Sequence, residues 1–342
     1  MNIAVLTGGL SPERDVAISS GSKISHALRE KGHNVVLIDV FMGYENDCDP
    51  EKLFKENADL INCDGISEDV PDVEAIKAKR ADKSDCFLGK NVIEICRYAD
   101  IAFFALHGGE GENGQLQAAF DTLGIKYTGA NFLAAALAMD KGITKALFEQ
   151  HKILTPKGEI FKKNENTDSW SYFPCVIKPC SGGSSVGIAI AENREQFKEA
   201  VADAFRYEDE IVIEQFVKGR EFSVGVLGDE VLPPIEIIPT TGFYDYKTKY
   251  QAGLAIDECP AKITEEEDKI LRQSALNAFK VLHLNAYARI DFILDEKGDA
   301  YCLEANTLPG MTPTSLLPQE AAAVGMDFPA LCEKIVELSL SK

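Results

Sequence analysis

The chain has 342 residues, 45% of them hydrophobic and 26% charged, enough to bury a large core in two or three domains. A formal net charge of −20 excludes a broad basic nucleic-acid surface, so an anionic substrate has to be met by a local cluster of Lys and Arg. No apolar run reaches the ~18 residues of a membrane span, and the start MNIAVLTGG lacks a basic leader and reads as a first strand. Nine scattered cysteines (48, 63, 86, 96, 175, 180, 259, 302, 332) form no CxxC pair and read as reduced thiols of a cytoplasmic protein.

NIAVLTGG, SPERDVAISSGSKISHALREKG and NVVLIDV form strand, helix and strand, the opening of a parallel α/β unit. Ser11 fits the helix N-cap and Pro12 its first position, which also suits an acid at Glu13. Residues 43–90 are polar and weakly periodic, and no function is read from them. ADIAFFALHGGEGENGQLQAAFDTLG adds a buried strand, a glycine-rich loop and a helix, and IKYTG a further short strand, which closes a first domain, 1–129. Helical patterning resumes over FLAAALAMDKGITKALFEQHK and breaks at ILTPKG. Strand, glycine loop and strand (FPCVIKPCSGGSSVGIAIAEN), a helix (REQFKEAVADAFRY) and a strand (EIVIEQFV) complete a second part, 130–214. The third, 215–342, holds a hairpin (REFSVGVLGDEVLPPIEII), a polar loop rich in Tyr and Lys, a helix (EEEDKILRQSALNAFKVLH), a second hairpin and a C-terminal helix.

The second hairpin, ARIDFILDEKGDAYCLEANTLPG, is the most informative stretch. Pairing about the turn Asp295–Gly298 sets Asp291 opposite Glu304 and Arg289 opposite Asn306, and period-2 alternation puts all four on one face. The other face then carries Ile290, Phe292, Leu294, Tyr301, Leu303 and Ala305. Two opposed carboxylates repel. A bridging divalent cation removes the repulsion, and Asp, Glu and Asn are the oxygen ligands Mg²⁺ prefers. Arg289 suits a phosphate or an oxyanion. A solvated polar face is the plainer alternative.

KPCSGGSSVG has the glycines and serines to cradle phosphate with backbone N–H groups. It is not a Walker A loop, because a second strand follows rather than a helix. It reads as a hairpin flap over a nucleotide, with Lys178 aimed at the phosphates. An ordinary surface hairpin needs only two loop residues.

These motifs occur in the order seen in ATP-grasp enzymes, and the chain resembles the D-alanine–D-alanine ligases. The resemblance runs from GGLSPERDVAISSG through ALHGGEGENGQLQ, AMDKGITK, VIKPCSGGSSVG, FYDYKTKY and RIDF to EANTLPGMTPTS; residues 43–90 match least. It implies an N-terminal Rossmann-like parallel sheet followed by an ATP-grasp fold of two α+β subdomains. ATP phosphates would be held by Lys141, Lys178 and the flap around Ser184 and Ser185. Glu214, the backbone at Val217, and Glu221 would take adenine and ribose, with Phe243 and Lys249 as further nucleotide contacts. Asp291, Glu304 and Asn306 would hold two Mg²⁺ or Mn²⁺. Glu13 would bind the ammonium of the first D-alanine, with His107 near its carboxylate, while Lys249 and Ser315 grip the second. Glu13, Ser184 and Tyr250 would form a hydrogen-bonded trio, and Arg289 with the Gly310 N–H an oxyanion hole. The activity implied is formation of D-alanyl-D-alanine for peptidoglycan precursors by a cytoplasmic homodimer.

Rival readings are a ligase that takes D-serine or D-lactate second, an NAD-dependent oxidoreductase argued from TGGL and Asp39, and a non-catalytic nucleotide-binding module. The oxidoreductase lacks GxGxxG and leaves the Asp291/Glu304 hairpin unexplained. A binding module has no need of Arg289 or a closing tyrosine loop.

Overall fold

The computed structural model describes residues 1–61, 72–183, 187–239 and 255–341. They form two compact units. Unit 1 comprises residues 1–136, 284–288 and 307–342; unit 2 comprises 137–283 and 289–306.

In unit 1, β1 (Asn2–Thr7) lies between β2 (Asn34–Asp39) and β3 (Ile101–Phe104) in an all-parallel sheet. Ile3 to Leu6 are fully buried, as expected of a central parallel strand covered on both faces. The helix Arg14–Glu30 buries Val16, Ala17, Ser20, Gly21, Ile24 and Leu28, an i, i+3, i+4, i+7 stripe. The C-terminal helix Phe328–Leu340 packs on that helix, and its Ser339 hydroxyl accepts the Gly129 N–H at 3.2 Å.

Four elements differ from the sequence reading in unit 1 and at its edge. The first helix starts at Arg14 with Glu13 as N-cap; Ser11 is used in a turn, its Oγ accepting the Glu13 N–H at 3.2 Å. IKYTG contributes one bridge, Tyr127 to Ala102, rather than a strand. FLAAALAMDKGITKALFEQHK is two helices, Phe132–Met139 and Lys141–Gln150, because Asp140 is extended and its carboxylate caps the second by accepting the Ile143 N–H at 2.9 Å. The C-terminal helix is likewise preceded by a separate one, Leu316–Ala323.

Asp39, at the end of β2, organises the loop after β1. Its Oδ1 accepts the N–H groups of Phe41 (2.9 Å) and Met42 (3.0 Å), and its Oδ2 pairs with the Arg14 guanidinium, which also donates to Gly9 O at 2.6 Å. Those bonds account for the acid without a ribose. Gly8 sits at φ +73°, and a Cβ there would lie 2.4 Å from Asp39 Oδ2.

Unit 2 has two antiparallel sheets. The first pairs β4 (Gly158–Lys162), β7 (Glu210–Gln215), β5 (Cys175–Pro179) and β6 (Ala189–Ala191) in that order. Its core packs Phe161, Cys175, Ile177 and Ile211 against Phe197 and Val201 of the helix Arg194–Ala204. The second runs β11 (Ala255–Glu258), β10 (Ile235–Pro239), β8 (Gly219–Leu227), β12 (Tyr287–Asp295) and β13 (Ala300–Asn306), with the two-residue β9 (Glu230–Val231) also on β8. β4 falls in a stretch given no element from the sequence, and β11 in the stretch read as a polar loop. The helix Glu265–Val281, held by a Thr264–Glu267 capping box, packs on β8 and β13.

The eight described cysteines are free thiols. Burial pushes the Cys180 thiol up to about 12.

Gly8→Ala combines a left-handed backbone with a clash, and loses about 2–4 kcal/mol. Gly32 has φ +85° in open space, so Gly32→Ala loses only about 1 kcal/mol. Urea-unfolding midpoints of the two variants check this; equal shifts would remove the role given to Asp39.

Candidate active site

The first groups to converge lie in unit 2, in a cavity between its two sheets. Val176 and Lys178 of β5, and Glu214 and Gln215 of β7, reach it from one sheet; Glu221 of β8, with Asp291, Ile293, Leu303 and Glu304 of the β12–β13 hairpin, from the other. Lys141, Pro156, Ile188, Phe216 and Val217 complete the lining.

Glu214 is 3% exposed and holds two lysines at once. Its Oε1 accepts from Lys178 Nζ at 2.5 Å and its Oε2 from Lys145 Nζ at 2.9 Å. Burial pushes the Glu214 carboxyl up, but the Lys178 and Lys145 ammoniums outweigh it, and its pKa lies below the usual carboxylate value. Burial pulls the Lys145 ammonium down, and Glu214 only partly restores it. Lys145 was missed in the sequence. It lies four residues beyond Lys141 on the buried face of the helix Lys141–Gln150, beside Gly142, Thr144 and Phe148, a set with too little apolar character to mark it in the sequence. Lys141, at the first position of that helix, donates to Gly182 O at 2.5 Å at the base of the glycine loop and lies 3.6 Å from Glu304 Oε2.

The hairpin pairs Asp291 with Glu304 and Arg289 with Asn306, as its turn and alternation predict. A β-bulge between these pairs and the turn shifts the register, so that Phe292 pairs with Cys302 and Ile293 with Tyr301. The expected core face is corrected accordingly. Cys302 is fully buried, whereas Tyr301 and Leu303 are half-buried and Leu303 lines the cavity. Asp291 is 7% exposed and accepts four hydrogen bonds, from Ser223 Oγ, Arg289 Nε, Arg289 Nη2 and Asn306 Nδ2, all at 2.9 Å. Ser223, fully buried on β8, carried no signal in the sequence.

Among the described residues no three His, Cys, Asp or Glu side chains gather as a metal centre. The set proposed from the hairpin is two carboxylates and one amide. Asn306 donates through Nδ2 and turns its carbonyl oxygen to the other side, so the donors are all hard oxygens and fit Mg²⁺ or Mn²⁺. Around the cavity four cations, Lys141, Lys145, Lys178 and Arg289, stand with four carboxylates, Glu214, Glu221, Asp291 and Glu304.

Unit 1 holds the other predicted side chains. Glu13 and His107 are both buried, and a Cβ at Gly108 would come within 3.2 Å of Glu13 Oε2. His107 Nδ1 lies 3.0 Å from Leu308 O; a carbonyl only accepts, so this nitrogen carries the proton. Ser315, at the start of the helix Leu316–Ala323, turns its hydroxyl to the Thr312 N–H (3.1 Å) and the Thr312 hydroxyl (2.9 Å). A Cβ at Gly310 would stand 3.1 Å from that hydroxyl. Ser184, Ser185, Phe243, Lys249 and Tyr250 lie outside the described residues.

Comparison with known proteins adds a family to this geometry. The family descriptions "D-ala D-ala ligase N-terminus" and "D-ala D-ala ligase C-terminus" match residues 2–130 and 137–337. The D-alanine–D-alanine ligase of Pediococcus pentosaceus is 42% identical over 341 residues, covering 98% of this chain and 97% of that enzyme. Among solved structures, the D-alanine–D-alanine ligase of Bacillus anthracis complexed with ATP is 28% identical, with a TM-score of 0.76 over 100% of this chain and 98% of that one. The D-Ala:D-Ser ligase VanG of Enterococcus faecalis is 26% identical, with a TM-score of 0.76 over 99% of both chains. The fold is therefore that of the ATP-grasp ligases, a parallel-sheet N-terminal part followed by α+β sheets around a cavity, and the chain belongs to the D-alanine–D-alanine ligase family.

Proposed function

We propose that this chain joins two molecules of D-alanine into D-alanyl-D-alanine, driven by ATP through an acyl phosphate, for peptidoglycan precursor synthesis. The observation that carries the reading is the unit 2 cavity, where paired Asp291 and Glu304 stand with Lys141 and Lys178 in a chain of this family. The reading includes two Mg²⁺ or Mn²⁺ per site, a homodimer in the cytoplasm, and a functional division near residues 129 and 214.

Lys141, Lys178 and the flap serines Ser184 and Ser185 take the ATP phosphates, while Glu214, Val217, Glu221, Phe243 and Lys249 serve the rest of the nucleotide. Asp291, Glu304 and Asn306 would hold the divalent cations, which would neutralise phosphate charge. Glu13 accepts hydrogen bonds from the ammonium of the first D-alanine, with His107 near its carboxylate. A carboxylate oxygen of that D-alanine attacks the γ-phosphorus, the bond from phosphorus to the β,γ-bridging oxygen breaks and ADP leaves, and Lys141 and Lys178 take up the charge developing on the phosphoryl oxygens. An acyl phosphate hydrolyses in water, so the glycine flap and the loop bearing Tyr250 exclude solvent from it, tied through Ser184 and Glu13. Lys249 and Ser315 grip the carboxylate of the second D-alanine, whose neutral amine attacks the acyl carbon. Arg289 and the Gly310 N–H hold the oxyanion until the C–O bond to phosphate breaks and phosphate leaves with the proton that the amine gives up.

The assay is phosphate release from ATP and Mg²⁺ with D-alanine, L-alanine, D-serine or D-lactate, singly and in pairs. D-Alanine alone sustains turnover. Release only when D-serine accompanies D-alanine would assign the activity that the VanG likeness keeps open.

Glu304→Gln lowers kcat about 100-fold or more while the circular dichroism spectrum is unchanged. Near-normal turnover with the wild-type Mg²⁺ dependence would remove the metal assignment.

The two amino-acid sites separate by mutation. Glu13→Gln weakens the first by about 1.5–3 kcal/mol, the worth of a charge-assisted hydrogen bond. Ser315→Ala raises KM mainly at the second. Dipeptide synthesis that is second order in D-alanine at low concentration resolves the two; if both variants move the same binding step, the assignment is wrong.

A further inference from the structure

We infer that Lys145 is a positioning residue for nucleotide binding: it fixes the Glu214 carboxylate, so that Lys178 keeps N–H groups for the phosphates. The inference rests on the nucleotide-site reading given above.

A lysine ammonium has three N–H donors. Lys145 uses all three inside the protein, on Glu214 Oε2 at 2.9 Å, Thr155 Oγ1 at 3.1 Å and the Pro156 carbonyl. It is 7% exposed and contributes nothing to the cavity lining. A direct ligand role is therefore closed to it.

Lys178 is the opposite case. It lines the cavity, and its ammonium is bonded to Glu214 Oε1 at 2.5 Å, so among the described residues two of its three donors remain for a ligand. That division depends on Lys145. A carboxylate that is 3% exposed requires partners on both oxygens, because an unpaired buried charge is strongly destabilising. With Lys145 on Oε2, Lys178 needs to satisfy only Oε1. Without it, Lys178 is drawn across both oxygens and its donors turn away from the phosphates.

The test is titration calorimetry of the full-length chain with AMPPNP and Mg²⁺, beside the KM for D-alanine. Lys145→Met weakens AMPPNP about tenfold and leaves the D-alanine KM within about twofold. A lysine acting only through Glu214 has nothing left to do once that carboxylate is gone. Lys145→Met in a Glu214→Gln background therefore adds less than about twofold to the loss that Glu214→Gln alone produces. This second comparison also serves if Lys145→Met does not fold by itself, because the double variant removes opposite charges together. A further tenfold loss in that background, an equal shift in the D-alanine KM, or unchanged AMPPNP affinity in a folded Lys145→Met protein overturns the inference. Lys178→Met separates the two levels. If it too leaves AMPPNP binding unchanged, the nucleotide-site reading fails and takes this inference with it. If it weakens binding while the Lys145 and Glu214 changes are additive, only the role of Lys145 is lost.

Discussion

A chain of net charge −20 that handles a polyphosphate has to overcome its own field, and the charge arrangement of unit 2 follows from that constraint. At the cavity, positive charge is supplied by Lys141, Lys145, Lys178 and Arg289, each paired with a carboxylate of Glu214, Asp291 or Glu304. The pairing lets cations sit in a partly apolar cavity without an uncompensated buried charge.

Buried ion pairs of this kind are weak sources of stability, since the loss of hydration offsets most of the attraction. Their value here is geometric. Glu214 between two lysines, and Asp291 with donors from Ser223, Arg289 and Asn306, have little rotational freedom left. A site that stabilises charge developing during reaction works best when its groups need not reorganise. In unit 1 the pair of Arg14 with Asp39 plays the corresponding part for the loop leading to Glu13, reaching Gly9 as well as the ends of two strands.

Much of this was legible in the sequence where local rules and tertiary context agree. The parallel opening, the glycine loop between strands and the facing of Asp291 with Glu304 follow from apolar runs, turn residues and alternation. Lys145 was not found, because a lysine at i+4 from another on a helix reads as a solvated face until the helix is seen to bury that side. Ser223 looked like any strand serine, and its value comes from the neighbouring strand. Nor does periodicity reveal that residues 284–288 and 307–342 belong with the first 136, since that grouping is made by contacts distant in sequence.

The bulge in the hairpin shows why alternation succeeded at the carboxylates and failed beside them. Near the turn, Ile293 pairs with Tyr301 and Phe292 with Cys302, so an unbroken ladder would set Asp291 opposite Leu303 and direct Glu304 into the core with Cys302. One extra residue on β13 prevents this. It brings Leu303 and Glu304 to the cavity together, the first beside Ile293 as an apolar wall, the second opposite Asp291 as a charge. Beyond it, Ala305 returns to the core opposite Ile290, and Asn306 regains the cavity face opposite Arg289. Bulges are found where a strand has to re-aim a side chain, and here the side chain re-aimed is the second carboxylate of the proposed metal pair.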